Sequence, residues 1–387
     1  MKERSTGKLW LPLMAACLLM MGIFSLSVST KAADNDSSAP EIPGLTFQSE
    51  MQNEFAECFH IYYYNDDYTL IDVPDSGQFL LVPEGKSAPD GLDEDIVVLQ
   101  KPLDNIYLAA TSAMSLFSSL DALDDIKFSS LQASGWYVDA AKQAMENGDI
   151  VFAGKYSEPD YELLVNSGCN LAIESTMILH TPKVQEMIEQ MGIPVFTDRS
   201  SYENHPLGRT EWIKVYAEMV DKRDEAKEFF DEQAKISDLK DFKNTEKTVA
   251  FFYINTDGSV VVRKPSDYVP KMIEIAGGRY VPTQVDSEEE TKRSSVPMTM
   301  EEFYTQAIDA DYLVYNGTID DPINSVDELL QKSELFADFK AVKEGNVWCA
   351  GKYLYQATDI VGNMITDLHL MLTGGDASQM TFMTKID

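Results

Sequence analysis

The first question about this chain of 387 residues is whether its reactive side chains are spaced for catalysis or metal binding. Its histidines are few and far apart, and no two have the spacing that places metal ligands on one helix. They are His60, His180, His205 and His369. The sequence contains no G-x-S-x-G, G-x-x-x-x-G-K-[ST], H-E-x-x-H or G-x-G-x-x-G motif. We therefore predict no catalytic residues, no bound metal and no cofactor, and an enzymatic function is an unsupported alternative.

The cysteines do not form a motif either. Cys17 lies in an apolar N-terminal run, whereas Cys58, Cys169 and Cys349 are widely spaced. An odd number of cysteines without a C-x-x-C pair supports neither a disulfide framework nor a zinc knuckle. We expect the last three to be small buried residues.

Polar and aromatic side chains that could bind a ligand follow several predicted strands. In open α/β sheets, ligands bind in the crevice beyond the carboxyl ends of the strands. In the first half of the chain this rule selects Ser112, Met114, Trp136, Tyr137, Tyr156, Glu174, Ser175, Thr176 and Arg199. In the second half it selects Arg263, Tyr268, Asn316, Tyr353, Tyr355 and Gln356. Aromatic faces with a few charges and amides suit a large, flat or chelate-like ligand.

Some of these candidates have a structural alternative. Trp136 and Tyr156 could be ordinary packing aromatics, and Arg263 in the run VVVRKPSDY could form a surface salt bridge. Glu174, at the end of a strand, could be exposed and without a role. The sequence leaves these alternatives open.

The elements that must position these residues alternate in type. After two β-rich stretches, FHIYYYNDDYTLIDV and QFLLVPEG, short apolar strands alternate with amphipathic helices from about Ile106. The same alternation restarts at TVAFFYINTDGSVVVRK and continues to the last helix, DIVGNMITDLHLMLTGG. Such patterns predict parallel βαβ units. We therefore predict two Rossmann-like α/β lobes, an N-terminal lobe over 56–205 and a C-terminal lobe over 238–387.

The segment between the lobes has a different pattern. From Pro206 to about Ile236, apolar residues such as Trp212, Val215 and Tyr216 recur at three- and four-residue spacing. Pro206 can occupy the first turn of a helix. At 1.5 Å per residue, one helix over this segment would reach roughly 45 Å. We predict that a single long helix over 206–237 joins the two lobes, which makes the fold class α/β with one connecting helix.

The N-terminus has the layout of an export signal. Lys2, Arg4 and Lys8 precede an apolar run from Leu9 to about Val28, and small residues follow it. We expect residues 1–32 to be a signal peptide or a retained N-terminal anchor, with acylation at Cys17 as a third possibility, and 33–55 to be a polar linker. The mature protein would then be exported to the periplasm or the cell surface.

The charge of the chain limits its partners. Against 31 basic residues stand 64 acidic ones, for a formal net charge of −33. Nucleic acids and anionic membrane surfaces are therefore improbable ligands. We expect a soluble monomer that binds neither.

Three stretches carry a resemblance to a known family. PVFTDRSSYENHPLGRTEWIKVYAEM, VPKMIEIAGGRYV and MTMEEFYTQAIDADYLVYNG, in this order and spacing, resemble the solute-binding proteins of bacterial ABC importers for ferric siderophores, haem and cobalamin. The resemblance covers the chain from about Ile106 to its end. It implies two lobes joined by a long helix, a ligand in the cleft between them, and delivery to a membrane permease whose ATPase is a separate subunit.

The resemblance also assigns a role to acids near two helix starts. Glu162, Glu301 and Glu302 stand where a carboxylate stabilises a helix by about 0.3–1 kcal/mol through the helix dipole. That effect alone can explain them. In the resembled family, one glutamate on each lobe meets arginines of the permease, and by motif these are Glu162 and Glu301, with Glu302 as the neighbouring alternative.

The ligand class remains open between related molecules. A ferric siderophore is our first expectation, because Arg199 and Arg263 could offset the negative charge of such a chelate. A corrinoid or haem is the alternative within the class, because a less negative ligand avoids repulsion by the acidic chain. A free divalent metal is a third possibility, weakened by the scarcity of histidine.

Overall fold

The computed structural model describes residues 39–235, 244–285 and 295–387. The predicted signal peptide at 1–32 and Cys17 lie outside these residues. Within the described ranges, no helix is both long and apolar enough to cross a membrane.

A five-stranded sheet opens the described chain. Its strands are β1 (Phe47–Glu50), β2 (His60–Tyr64), β3 (Thr69–Val73), β4 (Gly77–Val82) and β5 (Ile96–Gln100). They pair in chain order, antiparallel except for β4 with β5. Successive side chains of a strand point to opposite faces of the sheet. On one face, Ile61, Ile71 and Phe79 belong to the main core of the N-terminal lobe. On the other face, Tyr62 and Leu70 belong to a second cluster that contains Ile42.

This sheet corrects the expected linker at 33–55. Strand β1 pairs with β2, and the next segment is fixed by buried carboxylates. Glu211 accepts hydrogen bonds from the backbone N–H groups of 54–56, and Glu203 accepts those of 57 and 58, at 2.8–3.0 Å. A polar composition indicated a tether here, but long-range pairing holds the segment in the lobe.

A second, parallel sheet forms the rest of the N-terminal lobe. Its strands are β6 (Ile106–Leu108), β7 (Ile126–Ser129), β8 (Val151–Phe152), β11 (Leu171–Ser175) and β12 (Val195–Asp198), with the small pair β9 (Gly154–Lys155) and β10 (Glu158–Pro159) beside it. The spatial order is β12-β11-β6-β7-β8. Its helices are α1 (Met114–Ser119), α2 (Asp139–Asn147), α3 (Tyr161–Asn166) and α4 (Pro182–Gln190).

The predicted connecting helix is interrupted. It consists of α5 (Pro206–Glu211), α6 (Ile213–Met219) and α7 (Arg223–Ala234). The break lies at Val220–Lys222, where Asp221 takes a left-handed φ of 57°. Helix α7 turns back against α5 and α6, and Lys214 lies 4.3 Å from the centre of the Phe230 ring.

One continuous helix of 45 Å from Pro206 is therefore wrong. Helices α5 and α6 are buried on most sides, and Trp212 between them joins Val215 and Tyr216 of α6 in the core of the N-terminal lobe. Their apolar spacing reflects this packing. The chain reaches the second lobe through α7, about 18 Å long by its 12 residues, and residues 236–243, which lie outside the described residues.

The C-terminal lobe has a mixed sheet. Its strands are β13 (Thr248–Ile254), β14 (Val260–Arg263), β15 (Arg279–Val281), β16 (Ser295–Met298), β17 (Tyr312–Asn316), β18 (Val347–Ala350) and β19 (Met383–Ile386). Strands β13, β17 and β18 are parallel neighbours at its centre. Its helices are α8 (Tyr268–Ile275), α9 (Met300–Ala307), α10 (Val326–Lys332), α11 (Lys340–Lys343), α12 (Tyr353–Gln356) and α13 (Asn363–Thr373).

Each lobe has its own hydrophobic core. The two clusters of the C-terminal lobe, one on each face of its sheet, share no residue with those of the N-terminal lobe. The predicted α/β class with two lobes is confirmed.

Candidate functional site

Two cavities lie between the lobes. The large cavity, of about 390 Å³, is lined by Thr176, Met177, His180 and Tyr202 of the N-terminal lobe and by residues of the facing lobe that include Tyr253 and Asn255. The small cavity, of about 220 Å³, is lined by Arg209, Arg263, Tyr268, Asn316 and Tyr355, among others. Ser201, Tyr253 and Ser295 line both, so the cavities are neighbouring compartments of one cleft.

The parallel strands position this cleft. Thr176 follows β11, Ser201 and Tyr202 follow β12, and Asn316 ends β17. These are carboxyl ends of parallel strands, where an open sheet leaves a crevice. The cleft therefore lies where the strand order of both lobes leads us to expect a ligand.

The small cavity contains a buried charged cluster. The guanidinium of Arg209 lies 4.3 Å from the centre of the Tyr268 ring, and that of Arg263 lies 5.7 Å from the same ring. Arg263 also pairs with Asp267 at 3.6 Å. Burial raises the pKa of Asp267, while the two arginines oppose that effect. This region of an acidic chain is thus rich in positive charge.

A segment at the end of α12 holds the lobes together beside the cleft. Gln356 donates to the carbonyl oxygen of Gly135 at 2.8 Å and accepts from the backbone N–H of Tyr137 at 2.7 Å. Ser119 donates to Asp359 at 2.9 Å, and Thr111 donates to Tyr355 at 3.0 Å. These bonds join the two lobes directly.

Five of the predicted ligand residues line the cleft. They are Thr176, Arg263, Tyr268, Asn316 and Tyr355. Arg263 is in a buried ion pair with Asp267, whereas the sequence left a surface salt bridge open.

Three predicted residues are buried in the N-terminal lobe, and their prediction needs correction. Met114 is in the main core, and Trp136 donates from its indole nitrogen to Ser129 at 3.1 Å, so it packs the lobe. Glu174 is fully buried, and neither of its oxygens has a hydrogen bond. Side chains at or after the end of a strand can also point into the core of the lobe. Position at a strand end therefore does not by itself place a side chain in the cleft.

The other predicted residues do not line the two cavities and have partners within the protein. Ser112 donates to Asp198 at 3.1 Å, and Ser175 caps the 3-10 helix Thr176–His180. Arg199 lies 4.8 Å from the Tyr202 ring and 3.5 Å from Asp75. Tyr137 and Gln356 form the inter-lobe hydrogen bonds described above. Tyr156 packs against the cluster of the N-terminal lobe that contains Tyr107 and Leu164, and Tyr353 packs against Phe382.

The acids expected to dock a permease differ in their surroundings. Glu162, in the first turn of α3, and Glu301, in the first turn of α9, are exposed and have no side-chain partner among the described residues. Glu302 instead closes a capping box: it accepts from the N–H and hydroxyl of Thr299 at 2.7 and 2.8 Å. That bonding lowers the pKa of Glu302. Glu301 is therefore the more available of the two.

In the described part of the chain, no three His, Cys, Asp or Glu side chains form a group that could hold a metal ion. His205 caps α5 by accepting from the N–H of Leu207, and burial lowers its pKa to about 4. Cys169 and Cys349 are buried, Cys58 is half-buried, and all three are free thiols.

Sequence reasoning missed several cleft residues. Arg209 is on α5, and Tyr253 is the next-to-last residue of β13, so neither follows a strand. His180 and Tyr202 belong to short 3-10 helices that the apolar pattern does not mark. The one available signal was the polar run SSYENHPLGR directly after β12, at the carboxyl edge of the sheet.

A third cavity, of about 250 Å³, lies on the outside of the N-terminal lobe between β2 and α6–α7. Most of its charged groups are paired within the lobe: Glu218 accepts from Tyr63 at 2.8 Å and from Arg223 at 2.7 Å, and Lys227 pairs with Asp231. This cavity therefore offers few unpaired charged groups to a polar ligand.

Comparison with known families agrees with the architecture of the cleft. Residues 120–354 match the model of the family described as periplasmic binding protein. The chain belongs to this family. Its members are binding proteins, and the expected family of solute-binding proteins is confirmed.

Individual relatives are distant. An uncharacterized lipoprotein of Methanocaldococcus jannaschii is 21% identical over 392 residues, with 91% of each chain covered. A periplasmic haem-binding protein of Pseudomonas aeruginosa has the same fold at 14% identity and a TM-score of 0.57, covering 73% of this chain and 98% of its own. A petrobactin-binding protein of Bacillus subtilis has 14% identity and a TM-score of 0.54, with 70% and 92% covered.

Proposed function

We propose that this protein is an extracytoplasmic capture protein that binds an iron-siderophore-type chelate in the cleft and delivers it to the permease of an ABC importer. The observation that carries this proposal is the pair of connected cavities between the lobes, lined by aromatic and polar residues from both. The haem- and petrobactin-binding proteins of the same fold make iron-containing ligands the first class to test.

A corrinoid or haem is the second candidate, favoured by the apolar lining of the cleft. Met177, Ile319 and Tyr355 line the cavities and are 47%, 54% and 48% exposed. Exposed apolar side chains on facing walls would cover a flat, weakly charged ligand. A free divalent metal lacks ligands in the described residues.

The test is a fluorescence titration of protein lacking residues 1–38. Its tryptophans, Trp136, Trp212 and Trp348, are all buried, and a coloured chelate in the cleft would quench them. The panel is ferric hydroxamate, ferric catecholate, haem, cobalamin and zinc. We expect saturation near or below about 1 µM, roughly −8 kcal/mol, with one of the chelates.

Two variants control this titration. Tyr253→Ala removes an aromatic side chain that lines both cavities and should weaken binding. Phe47→Ala removes an exposed aromatic from β1 and should not. No saturable quenching by any probe, with the protein folded, would contradict the proposed ligand class.

The proposed delivery depends on Glu162 and Glu301. Each is an exposed carboxylate, one per lobe, that has no side-chain partner among the described residues, and arginines of a permease would pair with them. Pairs that lose water at an interface can contribute several kcal/mol. Glu302, which is held in the capping box, is the weaker candidate.

We propose that the protein is located outside the cytoplasm and attached to a membrane. A periplasmic binding protein family and a relative named as a lipoprotein support a place outside the cytoplasm with attachment to a membrane. Cleavage, retention of the N-terminus as an anchor, and acylation at Cys17 are the three outcomes for the N-terminus of the exported protein. The mass of the N-terminal peptide from membrane-fractionated protein distinguishes these three outcomes.

A further inference from the structure

The small cavity of the cleft contains a buried cation that forms no ion pair with the described residues. Arg209 is 6% exposed and lines the small cavity. Its guanidinium forms no ion pair or hydrogen bond in the described residues, and its Nε is buried without a partner. The guanidinium instead stacks on the aromatic ring of Tyr268, with 4.3 Å between its Cζ and the centre of the ring.

We propose that Arg209 is the receptor for an anionic group of the ligand, a carboxylate, in the small cavity. This inference rests on the proposed function and deepens it, because it specifies the chemistry of one end of the ligand. A buried guanidinium without a counterion is costly, by several kcal/mol. An anionic ligand group would remove that cost, whereas a neutral ligand would leave it in place.

Asp267, the acid of this cluster, forms its ion pair with Arg263 and not with Arg209. Asp267 has Arg263 as its ion-pair partner at 3.6 Å, and its other oxygen accepts from the N–H of Val269 at 3.0 Å. Arg209 itself has no carboxylate oxygen of the described residues within 4.0 Å. The site thus has a free cation beside a satisfied ion pair.

The geometry suits a carboxylate. A guanidinium presents a planar fork of N–H donors that binds both oxygens of a carboxylate. Ser201 and Tyr355, which line the same cavity, add hydroxyl groups. Stacking on Tyr268 holds the plane of the guanidinium.

The backbone around Arg209 is fixed from both sides. The next residue, Thr210, donates to the carbonyl oxygen of Thr358 in the C-terminal lobe at 2.8 Å. On the other side, a Cβ on Gly208 would lie 3.0 Å from the carbonyl oxygen of Phe55, so α5 packs closely on this segment. The receptor is therefore preorganised between the lobes.

The first experiment compares two iron chelates on the protein lacking residues 1–38. Ferric citrate has free carboxylates, whereas ferric desferrioxamine B has none. Arg209→Met should weaken ferric citrate about tenfold or more, the loss of about one charged hydrogen bond, and leave ferric desferrioxamine B unchanged. Arg279→Met, which removes an exposed arginine paired with Glu246, is the matched control and should change neither.

The second experiment needs no iron chelate, and so it separates this inference from the proposed function. Citrate, oxalate and acetate should raise the melting temperature of the wild-type and Arg279→Met proteins above the value in chloride, but not that of Arg209→Met. Arg209→Lys, which keeps the charge but loses the fork, should show a smaller rise. Without carboxylate, Arg209→Met should be at least as stable as the wild type.

Equal shifts in the wild type and Arg209→Met, or no shift with any carboxylate, would overturn the inference. If carboxylates stabilise the protein through Arg209 while no iron chelate binds, the anion receptor stands and the proposed iron ligand fails. If chelates bind equally well with and without Arg209, the proposed function stands and the receptor fails.

Discussion

At the scale of single residues, the buried carboxylates of this protein differ in how many hydrogen bonds they accept from other protein groups. Asp198 accepts hydrogen bonds from Ser112, Ser200 and Tyr216. Glu174, at the end of β11, is equally buried and has none. Burial raises the pKa of Glu174 well above its usual range. Glu174 is thus a core residue whose ionisation destabilises the folded state.

This difference predicts a pH dependence for Glu174→Gln. Because the folded pKa lies above the unfolded value of about 4.3, protonated Glu174 contributes stability that is fully present below that value. The contribution is lost as pH rises through the folded pKa. Relative to the wild type, the variant should gain unfolding free energy as the pH rises above about 4.3, and the gain should level off above the folded pKa of Glu174.

Urea unfolding of both proteins at several pH values measures this gain. The comparison with the wild type cancels the other acids of the chain. Parallel profiles over the whole range would mean that Glu174 is solvated in the folded protein.

At the scale of elements, helix α5 contacts three parts of the protein: segment 54–58 beside the five-stranded sheet β1–β5, the cleft, and the C-terminal lobe. Glu203 and Glu211 bind the backbone of 54–58 from one side of α5, and Arg209 faces the cleft. Gly208 permits the close approach, because a Cβ there would lie 3.0 Å from the carbonyl oxygen of Phe55 and 3.3 Å from the Cα of Ala56.

Gly208→Ala should therefore destabilise the protein by about 1–3 kcal/mol through overpacking against backbone that cannot move freely. Gly351→Ala is the matched control, since its Cβ would lie 3.7 Å from the carbonyl oxygen of Phe382, an ordinary contact. Thermal and urea unfolding measure both. Equal stability of the two variants would show that α5 can move away from 54–58.

The break in the connecting segment shows the limit of pattern reading. Periodicity correctly marked α5, α6 and α7 as helical, since apolar spacing depends on neighbours three and four residues away. It missed the break because Asp221 adopts a left-handed conformation without a glycine or proline to mark it. Strand β1 was missed for a related reason: its partner β2 lies beyond the polar segment that separates them.

At the scale of the whole molecule, the two lobes and the cleft followed from the order of strands and helices. Which side chains reach the cleft did not. Thr176 and Asn316 line it, but Met114, two residues after Ser112, is in the core, because the direction of a side chain depends on tertiary packing. Arg209 lies in helix α5 and Tyr253 in strand β13, so only the assembled structure shows that their side chains line the cleft.

Delivery to a permease involves the whole molecule, because one acid on each lobe must engage at once. Charge reversal at both sites, Glu162→Lys with Glu301→Lys, should abolish uptake in cells and leave the affinity of the purified protein unchanged. Both acids are exposed and unpartnered in the described residues, so their loss should not disturb the fold.

The control for docking is the double variant Glu186→Lys with Asp327→Lys. It reverses the charge of one exposed helix residue on each lobe and should retain uptake. Loss of uptake in both double variants would indicate a general charge effect, and a fall in ligand affinity would place Glu162 or Glu301 in binding instead.

Hydrogen–deuterium exchange with and without the probe that binds tightest in the titration locates the bound ligand in the protein. A ligand held between the lobes should slow exchange on both sides of the cleft, in peptides covering 176–180 and 199–210 and in those covering 253–263 and 316–319. The outer cavity formed by Tyr63, Lys214 and Arg223 should not change. Protection confined to one lobe, or centred on the outer cavity, would contradict capture in the inter-lobe cleft.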